Sequence, residues 1–142
     1  MTNISKKLEQ IVTNSLAKNP IVPVKTDQGI LVGNVLIVSN GPLKDLHRYN
    51  KIIYSNIHLN VSAIKIANLL AKKNDRLAAD KIYYADQEYG RWLVNSQMLR
   101  TQHEKAISTH DYDRADILWA KYCESRDRTI AAKKQVEALA AS

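Results

Sequence analysis

The chain has few of the residues that cross-link proteins or bend them sharply. Its 142 residues include one cysteine, three prolines, four glycines and no phenylalanine. The single Cys123 excludes an intramolecular disulfide framework and is typical of a reducing compartment. No apolar run approaches the roughly 18 residues that span a membrane, and no basic segment followed by an apolar one begins the chain as a secretory signal would. We therefore expect a cytoplasmic protein with no membrane partner.

The signatures of common active sites are also missing. The four histidines do not stand at the spacing of a metal site. Gly29 and Gly33 are not followed by the Lys-Ser or Lys-Thr of a P-loop, and no dinucleotide-binding fingerprint occurs. Asp86 and Glu88 are two residues apart, so on a helix they do not face each other and suit solvent or a helix cap. The sequence predicts a non-enzymatic protein with no catalytic residue, metal or cofactor, unless dispersed residues assemble a site.

Two long helices are predicted in the second half of the chain, at about 75–107 and 112–139, with a turn at 109–111. Apolar and small residues recur there at alternating steps of three and four, which places them on one face of each helix. Asp111 is suited to cap the second helix. Gly90 costs roughly 1 kcal/mol relative to alanine in a helix, and we expect it to admit a close neighbour rather than to end the helix. The segments therefore predict an antiparallel helical hairpin.

The turn of this hairpin resembles the junction found in helical-hairpin and repeat proteins. In those proteins a tyrosine just after the turn packs back on an alanine of the preceding helix. The resemblance implies that Tyr112 packs on Ala106.

The first half of the chain predicts a small antiparallel β-meander at about residues 21–58. Residues 30–39, rich in Val and Ile, are the most strand-like run, and Gly33 within them suggests a bulge or a bend. Pro23 assigns the preceding strand to the edge of the sheet. Turn signals at 40–42 and 49–50 separate the remaining segments, which gives three or four strands in all.

Two shorter helices are also predicted. One runs from Val61 to about Lys73 behind a capping Asn60, and it breaks at Asn74 before the hairpin begins. The other is an amphipathic helix at residues 4–18. This N-terminal helix either packs on its own domain or docks on a neighbouring subunit.

These elements predict an α+β fold in a single domain, residues 1–142. The domain would comprise a helical arm (1–19), the β-meander (20–60) and a helical part (61–142). The stripes on the hairpin are longer than so small a sheet can cover, so we expect a homo-oligomer whose subunits associate through the hairpin. The residues predicted at that protein interface are Trp92, Leu99, Leu118, Tyr122, Val136 and Leu139.

The chain is basic, with a formal net charge of +7. The first 60 residues hold seven basic and three acidic residues and the other 82 hold fourteen and eleven, so the excess is spread along the chain. Mixed charges on long helices are typical of a solvated face. The alternative is binding of nucleic-acid phosphates without sequence specificity, for which the predicted residues are Arg126, Arg128, Lys133 and Lys134.

Three segments carry a wider resemblance: GILVGNVLIVSNG, IYSNIHLNVSAIKIANLL, and ADQEYGRWLVNSQMLR with DYDRADILWAKYCESRDRT. Their order, a meander, a short helix and a helical hairpin, resembles small uncharacterised proteins of large tailed phages, particularly phages of marine cyanobacteria. The resemblance implies a phage origin, and hence the host cytoplasm or the virion, and it assigns no functional residue. The sequence thus predicts a non-enzymatic structural or accessory protein that works by protein association or self-assembly.

Overall fold

Five short strands are followed by three helices in residues 22–141, the part of the chain that the structure, a computed structural model, describes. The predicted arm at 1–19 lies outside the described residues. The order of elements confirms the predicted α+β fold. The elements are β1 (Val24–Lys25), β2 (Ile30–Val32), β3 (Val35–Asn40), β4 (Leu43–Arg48), β5 (Lys51–Ile57), α1 (Asn60–Lys73), α2 (Arg76–Ser108) and α3 (Tyr112–Ala141).

The strands form one antiparallel sheet in the order β1-β2-β3-β4-β5, so each strand pairs with its neighbour in sequence. The run 30–39 is two strands rather than one, because Gly33 adopts a φ of 58° and the chain reverses at Gly33 and Asn34. The sheet therefore has five strands, whereas the sequence predicts three or four. The predicted turn at Tyr49 and Asn50 is confirmed, and both residues have positive φ, 53° and 63°.

The hydrophobic core lies between one face of the sheet and α1, and the first turns of α2 complete it. Alternate residues of β3 point into this core, as the period of two in a strand requires. Burial of each large aliphatic side chain contributes about 1.5–3 kcal/mol. The largest aliphatic side chains that are fully buried in this core are Leu46, Ile57, Ile66, Val32 and Val35.

The start of α1 is held by a carboxylate from α2, not by the predicted cap Asn60. The N-cap position is Leu59, and its side chain makes no capping hydrogen bond. The fully buried Asp86 accepts hydrogen bonds from the backbone N–H groups of His58 (2.8 Å) and Leu59 (2.9 Å) and from the Ser62 hydroxyl (2.8 Å). Negative charge at a helix N-terminus is favourable, and the donors there have no partner within their own helix. Asp86 therefore caps a helix, but one that lies in another part of the chain.

Gly90 lets the loop before α1 lie directly on α2. A Cβ atom at Gly90 would lie 2.1 Å from Nε2 of His58, so the imidazole occupies the space of the missing side chain. The ring of Tyr89 meets the same imidazole edge-on, with ring centroids 6.4 Å apart. The prediction that Gly90 admits a close neighbour is confirmed.

The predicted break between α1 and α2 is confirmed at Asn74, which adopts the left-handed conformation (φ 48°, ψ 38°). Its N–H donates to the carbonyl of Leu70, and that of Asp75 donates to Leu69, so the last carbonyls of α1 are satisfied. The Asp75 carboxylate then accepts the N–H of Ala78 (3.1 Å) and caps α2. The reversal between the helices is thus fixed by local hydrogen bonds.

Tyrosines anchor the first turns of α2 to β5. The Tyr83 hydroxyl donates to the carbonyl of Ser55 (3.0 Å), and the Tyr54 hydroxyl donates to the carboxylate of Asp80. The rings of Tyr54 and Tyr83 lie 4.9 Å apart. The Arg76 guanidinium lies 5.3 Å from the centroid of the Tyr54 ring. The edge of the sheet and the base of the hairpin therefore form one rigid contact.

We expect Asp86→Ala to lower the free energy of unfolding by about 3–5 kcal/mol, because it leaves two backbone N–H groups and a hydroxyl without an acceptor in the interior. Urea denaturation followed by circular dichroism measures the loss. The control Asp127→Ala removes an exposed carboxylate from α3 and should change stability by no more than about 0.5 kcal/mol. A loss below about 1 kcal/mol for Asp86→Ala would show that the carboxylate does not hold the fold.

The stability contributed by Tyr54 should disappear at high pH. Burial and the hydrogen bond to Asp80 raise the pKa of Tyr54 from 10.0 to about 12, although the positive charge of Arg76 acts to lower it. A pKa that is higher in the folded than in the unfolded state stabilises the fold below pH 10, and this contribution is lost as the pH rises toward 12. Tyr54→Phe should therefore be less stable than the wild type at pH 8, and the difference between their urea midpoints should shrink above pH 10. A constant difference across this range would contradict the assignment.

Candidate interaction surface

The helices α2 and α3 extend well beyond the body of the protein, which we define as the sheet and α1. The 33 residues of α2 span about 50 Å at about 1.5 Å per residue. The contacts with the body described above reach α2 as far as Gly90. On the same side of α2, the next residues, Gln97, Arg100 and Glu104, are exposed. We call residues 91–130 the projecting hairpin.

The seam of the projecting hairpin contains few large apolar side chains. Near the turn, Ala106, Ala115 and Leu118 form a small buried cluster with Leu99 against it. Farther from the turn, the buried residues of the seam are polar. Small side chains allow the two helices to approach closely, but they bury little apolar area. The seam therefore relies on hydrogen bonds as well as on apolar burial.

The polar part of the seam is a closed network of hydroxyl groups. The Ser125 hydroxyl donates to Oδ1 of Asn95 (2.8 Å), and the Thr129 hydroxyl donates to the backbone carbonyl of Ser125 (2.9 Å). The protons of Ser125 and Thr129 are thus used, and the single proton of Ser96 is shared between its contacts with the hydroxyls of Ser125 (2.8 Å) and Thr129 (3.1 Å). A shift of either helix would leave these buried groups unpaired. The network therefore favours the observed register of α2 and α3.

An aromatic cluster covers one flank of the projecting hairpin. The ring centroids of His103 and Trp119 are 5.1 Å apart, and those of Trp119 and Tyr122 are 5.3 Å apart. Both His103 and Tyr122 are half-buried, whereas Trp119 remains 48% exposed. The indole ring of Trp119 is therefore accessible to solvent while it packs against the two half-buried rings.

Tyr112 is not part of the small buried cluster that contains Ala106. Tyr112 is the first residue of α3 and is exposed, and its hydroxyl lies 3.0 Å from Nδ1 of His110. Ala106 is covered instead by Ala115 and Leu118. The first buried position of α3 lies three residues later, at Ala115, and the packing of Tyr112 on Ala106 stays a prediction.

Large apolar side chains outside the seam are the feature that the sequence pattern did not single out. They lie off the three-four stripe, and each is between 43% and 59% exposed. Their signal in the sequence is an apolar residue at a position where the helical pattern predicts a polar one. Such side chains indicate a contact site where several of them form one continuous surface. These side chains are Val94, Met98, Ile107, Tyr112, Ile117, Trp119 and Ile130.

The six residues predicted at a protein interface are distributed along the contacts between α2, α3 and the body. Leu118 and Val136 are buried within the chain, at 7% and 0% exposure. Leu99 packs on the cluster near the turn and Leu139 packs on the core of the body. Trp92 and Tyr122 are half-buried. The structure therefore places these residues inside one chain or at the margin of the seam.

The four basic residues predicted to bind phosphate are all exposed but do not share one face. Arg126 and Arg128 are two residues apart and so lie about 200° apart around α3. Arg128 pairs with Glu124 (3.1 Å), and its guanidinium lies 4.8 Å from the ring centroid of Trp92. The structure thus separates Arg128 from the other three, Arg126, Lys133 and Lys134.

One group of side chains has the composition of a catalytic triad but not its geometry. Asp86 accepts from the backbone N–H of His58, not from the imidazole, and it also accepts from the hydroxyl of Ser62. Ser62 and Asp86 are both 0% exposed. The arrangement therefore caps a helix and presents no nucleophile to a substrate.

Residues 22–141 lack the features of two other kinds of site. No three His, Cys, Asp or Glu side chains of these residues lie close enough together to hold a metal ion. None of the helices in this part of the chain has both the length and the apolar character needed to cross a membrane.

Ser125→Ala should lower the free energy of unfolding by about 1 kcal/mol, because it removes the central hydroxyl of the seam network. In a double-mutant cycle with Ser96→Ala, the two changes should couple by about 0.5–1.5 kcal/mol. Thermal and urea denaturation measure both quantities. Ser108→Ala, at an exposed serine of α2, should change stability by less than about 0.5 kcal/mol. Strictly additive losses from Ser96→Ala and Ser125→Ala would contradict the network.

Comparison of the chain with protein-family models, curated proteins and solved structures found no match. The resemblance in layout to small proteins of tailed phages therefore stays a prediction.

Proposed function

We propose that the protein is a non-enzymatic structural or accessory protein that associates with a second copy of itself through one flank of α3. The observation that carries the proposal is a stripe of apolar side chains on that flank, with Arg126 between two of its members. The stripe consists of Trp119, Cys123 and Ile130, and Trp119 and Ile130 are each 48% exposed. Ile107 of α2 extends it, since it follows by one helical turn the His103 that contacts Trp119.

The stripe has the geometry of a helix-packing surface. Its members are separated by four and seven residues, which correspond to about one and two turns, so they lie on one side of α3. The stripe is about 17 Å long, at about 1.5 Å per residue over the eleven residue steps from Trp119 to Ile130. A second helix packed on it would cover the indole ring and the two smaller side chains together. Such packing hides apolar surface that one copy alone exposes.

The charges along α3 favour a second copy as the occupant. Residues 111–117 carry three carboxylates and one guanidinium, a net charge of −2, and residues 126–134 carry four cations and one carboxylate, a net charge of +3. In an antiparallel pair of α3 helices, the acidic start of each helix faces the basic end of the other. A two-fold contact of this kind is self-complementary in shape and in charge. This gives Arg126 and the two lysines at 133 and 134 a role in association.

The resemblance to small proteins of tailed phages supports the same class of function. Small accessory proteins that assemble from identical chains need a contact surface and no reactive centre. We therefore propose a phage setting on the resemblance alone, and the association on the surface of α3.

Ile130→Glu should weaken self-association at least about tenfold, because it buries a carboxylate within the apolar contact. Sedimentation equilibrium at several protein concentrations measures the dissociation constant. The matched control is Ile117→Glu, an equivalent change on the same helix, at a residue that is 59% exposed. It lies roughly 140° around α3 from Ile130, so it should change the dissociation constant by no more than about twofold.

Two results would overturn the proposed function. One is a wild-type protein that remains strictly monomeric at tens of micromolar. The other is an equal effect of Ile130→Glu and Ile117→Glu, which would place the contact elsewhere on the chain. Circular dichroism of both variants must match that of the wild type for the comparison to count.

A further inference from the structure

A cluster of cations lies at the end of the body that is farthest from the hairpin turn. It joins the turn between β4 and β5 to the junction between α1 and α2. Arg48 and Lys51 pair across the two strands, and Nη1 of Arg48 donates to Oδ1 of Asn74 (3.2 Å). Lys72 and Lys73 are the last residues of α1, immediately before Asn74, and Arg76 opens α2. We call Arg48, Lys51, Lys72, Lys73 and Arg76 the corner cluster.

The charges of the corner cluster are only partly neutralised by their surroundings. Within residues 22–141, none of its five cations lies within 4.0 Å of a carboxylate oxygen. The two carboxylates of this region are engaged elsewhere: Asp75 accepts the N–H of Ala78, and Asp80 accepts the hydroxyl of Tyr54. Five cations against these two carboxylates leave a net charge of +3 on a small surface. An exposed concentration of positive charge attracts polyanions.

An exposed aromatic side chain stands beside the corner cluster. Tyr49 follows Arg48 directly and is 78% exposed, the largest exposure among the large apolar and aromatic side chains of residues 22–141. The turn that carries it is a tight two-residue reversal, and the amide of Asn34 lies 3.3 Å from its hydroxyl. The ring is thus exposed, and its hydroxyl accepts a hydrogen bond from Asn34.

We propose that the corner cluster binds single-stranded nucleic acid, with the five cations on successive phosphates and one base stacked on Tyr49. Cations that track the backbone next to an exposed aromatic ring are the two parts of a sequence-independent single-strand site. A duplex keeps its bases stacked inside and offers no free base to Tyr49. The site lies on the body and not on the flank of α3, so it is independent of the proposed self-association.

The binding should depend steeply on salt. Each phosphate neutralised on a single strand contributes about 0.7 to the slope of log affinity against log salt, so full use of the cluster gives a slope of up to about −3.5. Fluorescence anisotropy of a labelled oligothymidine of about 20 nucleotides, titrated with the full-length protein between about 50 and 200 mM salt, measures this slope. No binding at the lowest salt would overturn the proposal.

Two variants separate the cluster from the general charge of the chain. The double variant Lys72→Gln/Lys73→Gln should weaken binding at about 50 mM salt tenfold or more and reduce the slope by about 1.4. The matched control is Lys133→Gln/Lys134→Gln, which removes two exposed adjacent lysines from α3 and the same net charge. It should change affinity by less than about threefold. An equal or larger effect of the control would overturn the assignment to the corner cluster.

Stacking is tested at Tyr49. Tyr49→Asn keeps a residue that tolerates positive φ and should weaken binding at least about fivefold. Tyr112→Asn, at an exposed tyrosine near the hairpin turn, should leave the affinity unchanged.

Competition with polyglutamate of equal charge distinguishes an acidic protein as the partner. If polyglutamate competes as well as the oligonucleotide does, and Tyr49→Asn binds like the wild type, the nucleic-acid assignment is wrong.

Discussion

The carboxylate of Asp86 joins parts of the chain that are 24 to 28 residues apart in sequence. From its place on α2 it binds the loop after β5 and the start of α1, so the sheet, the short helix and the hairpin are held together at one point. The packing of the His58 ring against Gly90, one turn farther along α2, holds the same three elements together. A buried charge of this kind is stable only when all its donors are present. The orientation of the hairpin relative to the sheet depends on this arrangement.

Beyond this anchored region the hairpin has few large apolar side chains at its seam. Its seam consists mainly of alanine, serine and threonine. The hydroxyl network around Ser96 and Ser125 favours one register of the two helices and contributes little net stability. Close packing of small residues brings the helix backbones together and leaves the larger side chains on the flanks. Trp119 and Ile130 are exposed because smaller residues occupy the seam. The surface that we propose for self-association therefore arises from the same composition that leaves small residues at the seam.

Features that depend on local chemistry could be read from the sequence, and features that depend on distant residues could not. The long helices, the left-handed Asn74 and the turn at Tyr49 each follow from a few adjacent residues. The cap of α1 could not be found, because Asn60 has a suitable side chain while the actual acceptor, Asp86, comes from another helix. The corner cluster was hidden for the same reason, since two separate segments, 48–51 and 72–76, contribute its cations. The predicted phosphate-binding set failed to form one patch because its members, close in sequence, point to different sides of α3.

The order of the strands also bears on how the chain reaches its native state. Each strand pairs only with the strand next to it in sequence, and the helices of the hairpin are likewise neighbours along the chain. Most contacts therefore close short loops, which carry a small entropic cost, and chains dominated by such local contacts fold rapidly. The sheet can form as a local unit, whereas the docking of α2 onto the start of α1 and the closing of the hairpin seam bring together residues 24 to 33 positions apart.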